Sequence, residues 1–213
     1  LARKKKKYKN WVYGLVFILI AVIIVWRLWS PKTTYSQDIG PEYVLENYGI
    51  EIQQEAYQLQ LPPEYFAALC MLESGGRKPC PPKFEKHVYA KLKMVHAGTK
   101  VRYEHVTPHE IGNASDGAIR NLASSWGPFQ IMGYKCLLLD VNIEDLRGPQ
   151  SVHWSMRWIN ENYGSYLRKK DYKSAFHMHN AGSPFPKNGK TKTHDPNYVK
   201  NGLKWMNYFK GKL

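Results

Sequence analysis

The sequence predicts a mainly α domain, with room for one small β-hairpin. Three observations predict it. Apolar residues recur at helical spacing through most of the chain. Prolines stand where helices open, and glycines stand where they end. No run of alternating apolar and polar residues is long enough for an extended sheet. The 213 residues divide into a basic stretch (1–10), an apolar stretch (11–29), a polar linker (30–41) and a segment (42–213) large enough for one globular domain with its own core.

The apolar stretch is the most uniform. Arg3, Lys4, Lys5, Lys6, Lys7 and Lys9 precede Trp11, and nothing polar interrupts residues 14 to 25. As a helix, residues 11–29 reach roughly 28 Å, close to the hydrocarbon thickness of a bilayer. Trp11 and Tyr13 at one end, and Trp26 and Trp29 at the other, suit interfacial anchors. A cleaved signal peptide is the competing reading. It is disfavoured by Trp26, Leu28 and Trp29, which stand where small residues would precede cleavage. The charge before the span, against Arg27 alone just after it, predicts a cytoplasmic N-terminus. The expected location is therefore the cytoplasmic (inner) membrane, crossed once, with the remainder periplasmic or extracellular. Ser30 to Pro41 would then hold the domain off the membrane.

Net charge is +14; without the seven basic residues of the first thirty it falls to +7. A basic exported domain suits an anionic polymer, and a merely solvated basic surface is the plain alternative. The topology, with no zinc-finger spacing and no basic–aromatic repeat, argues against nucleic acid. Cys70, Cys80 and Cys136 cannot all pair within one chain. An exported setting permits Cys70–Cys80, but Cys70 lies in an apolar run that equally suits a free buried thiol. The eight histidines are scattered. Pro108 argues against a helix joining His105 and His109, and positions two apart on a helix, as His177 and His179 are, do not share a face. No metal site and no cofactor are expected.

Within the domain, residues 42–60 suggest one or two short helices, broken near Gly49. Pro62 and Pro63 open a helix that runs to Glu73, before Ser74-Gly75-Gly76. Phe84 to Ala97 reads either as a strand becoming a helix or as a helix throughout. Residues 98–115 are polar and irregular. Asp116 caps a short helix ending before Ser124. Val152, Met156, Ile159, Tyr163 and Leu167 mark a helix over 149–167, and Asp171 to His179 is another. Gly182 to Thr193 is a loop. Asp195-Pro196 opens a last helix with Val199, Leu203, Met206 and Phe209 inward.

Glu73 is the most informative residue. A carboxyl where an apolar helix meets glycines is half buried, in surroundings of a kind that favour the protonated form. Such an acid can protonate a leaving oxygen. A solvated glutamate in a last helical turn is the plain alternative. Downstream, Ser124-Ser-Trp-Gly-Pro-Phe-Gln-Ile-Met-Gly133 sets Gln130, both donor and acceptor, and Trp126 among glycines that let a ligand approach closely. Near the end, Asn180 precedes Ala181-Gly182, where asparagine is also a good helix terminator.

Together, Glu-Ser-Gly, Ser-Trp-Gly-x-Phe-Gln-Ile-Met-Gly and Asn-x-Gly, in that order over roughly residues 60–210, resemble the lysozyme-like superfamily that cuts peptidoglycan glycan strands. That group includes soluble lytic transglycosylases and goose-type lysozymes. Lys83-Phe-Glu-Lys-His-Val-Tyr89 is similar to a motif of the bacterial and phage N-acetylmuramidases. The resemblance implies a lysozyme-like helical domain acting on peptidoglycan. It makes Glu73 the general acid at the bond between N-acetylmuramic acid and N-acetylglucosamine, and Glu85 the second acidic residue. Ser125, Gln130 and Tyr134 would line the saccharide cleft, with Trp126 packing near it, and Asn180 would match the asparagine of Tyr-Asn-x-Gly. His179 departs from that pattern by standing in place of the tyrosine. Hydrolysis follows if Glu85 positions water. A 1,6-anhydro product follows if Glu73 instead returns as a base. A wall-binding scaffold that has lost activity is the reading from another class. Tethering would confine cleavage to nearby wall, which suits local remodelling or clearance for an envelope-spanning machine.

Overall fold

The computed structural model describes residues 13, 15–22, 25 and 35–213. The expected anchor lies largely outside the described residues. Tyr13, residues 15–22 and Val25 are helical and exposed. No helix among the described residues is long and apolar enough to cross a membrane. Residues 35–213 form a compact unit by themselves.

That unit is mainly helical with one small sheet. Its helices are α1 (Pro41–Leu59), α2 (Pro63–Glu73), α3 (Lys86–His96), α4 (Pro108–Ile111), α5 (Asp116–Leu122), α6 (Cys136–Leu139), α7 (Ile143–Arg147), α8 (Ser151–Arg168), α9 (Tyr172–Ala181) and α10 (Tyr198–Phe209). Strands β1 (Lys83–Phe84), β2 (Ser124–Trp126) and β3 (Ile131–Met132) pair antiparallel in sequence order. Lys83 stands opposite Ser125, and Trp126 opposite Ile131. The stretch from 83 to 96 is thus a strand followed by a helix, and the segment around Gln130 is a hairpin.

The centre of the unit is α2. Tyr65 through Cys70 are all buried, so this helix is apolar all round rather than on one stripe. Proline at its first position costs no hydrogen bond there. It is enclosed by α1 and α10, with Phe129 and Phe176 stacked against Phe66 and Tyr65. The five apolar positions expected on α8 are all buried.

Two expectations fail for reasons of packing. Helix α1 continues through Gly49, which is buried beside Leu45 and Leu213. Tertiary burial offsets the roughly 1 kcal/mol that glycine costs inside a helix. Helix α5 is capped by Ser115, whose hydroxyl accepts from Ala118 N, and Asp116 is its first helical residue. The irregular stretch after α3 carries a bridge between Tyr103 and Val106 and the short helix α4, which Pro108 opens and a Thr107–Glu110 capping box holds. The close of the linker joins the domain: Gly40 N donates to Gly75 O at 3.0 Å.

Candidate active site

Glu73 is the last residue of α2, and its side chain is 18% exposed. The chain must turn away at once, because Gly75 and Gly76 have left-handed φ of 65° and 81°. A Cβ on Gly76 would lie 2.5 Å from Val44 N, so the turn fits against α1 only without one. Asn47 Nδ2 donates to Gly76 O at 2.8 Å, and Tyr48 Oη to Arg77 O at 2.6 Å. The carboxylate is therefore carried on a segment fixed from both sides.

Two helices bring polar groups to it, and a third holds one of those groups in place. From α10, the buried Tyr198 donates its hydroxyl to Glu73 Oε1 in a short hydrogen bond. Burial first, and then the Glu73 charge, push the Tyr198 phenol well above its ordinary pKa, so it remains a donor. From α9, His179 Nε2 lies 3.7 Å from the same oxygen. That ring is held at both ends: Nε2 meets Phe129 O at 3.0 Å and Nδ1 meets Tyr163 Oη at 2.6 Å. Burial lowers the His179 pKa from 6.5, partly opposed by the Glu73 charge and the Phe129 carbonyl. From α8, Tyr163 has non-helical φ and ψ of −147° and 15° in mid-helix, followed by Gly164. This irregularity coincides with the residue whose hydroxyl reaches the histidine.

His179 and Tyr163 also line a cleft of about 560 Å³. Gln130, Tyr134 and Asn180 line it too, as do Glu104, Lys135, Trp158 and Asn162, which the sequence did not single out. Gln130 and Glu104 have left-handed backbones, φ 49° and 50°, a conformation that costs a side-chain-bearing residue on the order of 1–3 kcal/mol and clusters at ligand sites. The Gln130 amide is largely engaged within the protein. Its carbonyl accepts from Ser125 Oγ at 2.7 Å, and its nitrogen donates to Gly127 O at 3.1 Å and Pro81 O at 3.3 Å. It thus braces the hairpin turn against the loop after α2. Tyr134 Oη donates to Glu104 Oε1 at 2.8 Å, and Lys135 Nζ meets Glu104 Oε2 at 2.5 Å. Burial would raise the Glu104 carboxyl, but these two donors and the Lys135 charge hold it below its ordinary value.

Other expected site residues stand apart from this cleft. Ser125 is buried behind Gln130. Trp126 packs on the core and donates to Asn121 O at 2.9 Å. Glu85 stands at the N-cap position of α3 without a side-chain cap hydrogen bond; its carboxylate lies 2.8 Å from Lys83 Nζ and 3.6 Å from His87 Nδ1, and it shares no hydrogen-bond partner with Glu73. Glu73 itself is not part of the cleft wall and reaches it through His179. Asn180 Oδ1 accepts from His194 N at 3.1 Å.

All three cysteines are free. Burial pushes the Cys70 thiol up to about 12 and the Cys80 thiol to about 11. The Cys70–Cys80 bridge that the sequence left open is not formed; Cys70 Sγ contacts Ser74 Oγ at 3.5 Å, and Cys80 Sγ accepts from Gln130 Nε2 at 3.3 Å. His177 is turned away from His179 to pin the following loop, through Ser183 O at 2.6 Å and Lys192 N at 3.0 Å. Among the described residues no cluster of histidine, cysteine and acidic side chains could hold a metal.

No protein-family model, curated protein or solved structure matches this chain.

Tyr163 was legible only as a member of an apolar helical stripe, and Tyr198 was not singled out at all. A phenol at such a position carries a polar tip that must find a partner when buried. That rule marks both as candidates, without saying which acid they meet.

Proposed function

We propose that this protein cleaves the β-1,4 bond between N-acetylmuramic acid and N-acetylglucosamine in peptidoglycan, with Glu73 as the general acid, in a lysozyme-like domain held at the cytoplasmic membrane by residues 11–29. One observation carries the reading. A carboxyl at the end of a buried helix is gripped by the Tyr198 hydroxyl and adjoined by His179, which walls a sugar-sized cleft with Gln130, Tyr134 and Asn180. Held this way, Glu73 presents a proton of fixed direction, which general acid catalysis requires. It would protonate the bridging oxygen as the C1–O bond breaks, leaving an oxocarbenium-like sugar.

Water attack on that sugar, with Glu85 as the second acid, completes a hydrolysis. The pairing of Glu85 with Lys83 and His87 favours a second reading of the product. With Glu85 engaged there rather than guiding water, Glu73 takes the proton of the muramoyl 6-hydroxyl, O6 bonds to C1, and a 1,6-anhydro end forms. Cleavage near the membrane fits local wall remodelling, or clearance for an envelope-spanning machine.

Purified sacculi incubated with the full chain should lose turbidity, and with Glu73→Gln should lose at least about 100-fold less per unit time. Equal loss with both proteins removes Glu73 as the acid. No loss with either favours a wall-binding scaffold. Mass spectrometry of the fragments separates the products, since an anhydro end is lighter than a reducing end by one water.

A further inference from the structure

His179 stands between Glu73, Tyr163 and the Phe129 carbonyl, and these partners fix which ring nitrogen carries the proton. The groups that meet it come from three elements: Glu73 on α2, Tyr163 on α8, and the Phe129 carbonyl in the β2–β3 turn. A carbonyl oxygen only accepts, so the 3.0 Å bond to Phe129 requires a proton on Nε2. The neutral ring then has a bare Nδ1, and Tyr163 is the donor of the 2.6 Å bond. Burial favours this neutral form, opposed only in part by the neighbouring Glu73 carboxyl and the Phe129 carbonyl. The Nε2–H of known direction lies 3.7 Å from Glu73 Oε1, so a closure of roughly 0.5–1 Å makes it a hydrogen bond.

We propose that His179 is a positioning residue for Glu73. Tyr163 holds it in the neutral Nε2–H tautomer, and its ring N–H, still directed by the Phe129 carbonyl, is shared with the Glu73 carboxylate across a small closure as that acid gives up its proton. This rests on Glu73 being the acid. The Glu73 O–H bond breaks toward the bridging oxygen, its electrons stay on the carboxylate, and the departing oxygen keeps the proton. His179 loses none of its own. It supplies a second donor, beside Tyr198, at the moment negative charge appears. Donors aimed in advance at developing charge are effective because they need no reorganisation during reaction. A tyrosine at this position would offer a rotatable O–H; the imidazole held at both nitrogens offers an N–H of fixed direction. In acid the ring takes a second proton on Nδ1 and donates to Tyr163.

The experiment combines two readouts on the full chain. Imidazole nitrogen shifts, measured by NMR on ¹⁵N-histidine-labelled protein and assigned through the loss of signals in His179→Gln, should show Nε2–H with a bare Nδ1 at pH 7.5. In Tyr163→Phe that preference should weaken. On sacculus-derived glycan strands, His179→Phe should lower kcat about 100-fold with KM within about twofold. His179→Gln, whose amide keeps a donor near the Nε2 position, should recover part of that loss. A ring carrying its proton on Nδ1, or cationic at pH 7.5, overturns the proposal, and the wild-type spectrum decides this whatever the variants' folding. Unchanged kcat in His179→Phe overturns it too, as does a loss confined to KM. Absence of product from the unmodified chain removes the acid role of Glu73 and this proposal with it, and that outcome is read from the wild-type reaction alone.

Discussion

Replacing Gly202 by alanine tests how the site is assembled, through stability first and activity second. Gly202 lies inside α10, where an added Cβ would sit 2.8 Å from Cδ1 and Cε1 of Phe176 and 2.9 Å from Cγ. Ordinary contact begins near 3.4 Å, so ring or helix must give by at least 0.6 Å. The ring cannot turn aside freely, because Phe176 is fully buried and stacked on Tyr65 with centroids 4.6 Å apart. Alanine gains about 1 kcal/mol of helix propensity over glycine. Overpacking a filled core costs about 1–3 kcal/mol. The net expectation is a loss of about 1 kcal/mol, or a Tm lower by about 2–4 °C for a domain of this size. Tyr198 lies four residues earlier, on the same face of α10, so a retreating helix also draws its hydroxyl from Glu73. Sacculus cleavage should fall by about tenfold, the equivalent of 1.4 kcal/mol in the barrier. Thermal unfolding and turbidity loss read the two effects. A Tm raised by alanine would refute the reasoning, since propensity would then outweigh a clash that the geometry says is unavoidable.

Three further outcomes are expected. Tyr198→Phe removes a hydrogen bond to a carboxylate and should destabilise the fold by about 1–3 kcal/mol in urea unfolding; activity unchanged from wild type would remove Tyr198 from the acid's support. Gly76→Ala should cost at least about 2 kcal/mol, combining left-handed strain with a backbone clash. Gly98→Ala has a similar φ of 69° but nothing within 4 Å, and should cost only the strain of about 1–2 kcal/mol; equal losses from the two would discount the Val44 contact. His179 has a folded-state pKa below 6.5, so as pH falls through 6.5 the unfolded chain takes up a proton that the folded chain refuses. Stability should therefore rise with pH between the folded-state pKa and 6.5, and His179→Phe should flatten that slope in denaturation series across the window.

Helix existence was readable where burial and periodicity agree. The spacing of Val152, Met156, Ile159, Tyr163 and Leu167 placed α8 to within about two residues because every one of them faces the core. Pro63 and Gly75 bracketed α2 because backbone rules act locally. The sequence misled at Gly49, which is buried inside α1 with Leu213 from the far end of the chain beside it. It also left Lys83–Phe84 ambiguous, since two residues carry no period and become a strand only by pairing with Ser124 and Ser125. Within the site, Glu73, Gln130 and Asn180 stood out by residue type and by their company of glycines, while Tyr134 and His179 stood out only through the resemblance. Glu104 did not, because its meaning lies in a contact with Tyr134 and Lys135 thirty residues away.

By itself the sequence determined a mainly helical domain behind a basic and an apolar stretch, and an acid at the end of its most apolar helix. Local rules suffice for that, since proline, glycine and hydrophobic spacing act over a few residues. Only the tertiary structure decided what surrounds the acid. Tyr198 approaches because Gly202 lets α10 close on Phe176, and His179 is fixed by a tyrosine at an irregularity in α8 and a carbonyl in a hairpin turn. Those partners are separated from Glu73 by 56 to 125 residues. Hydrogen-bond direction across such distances is set by how helices pack, which no local pattern encodes.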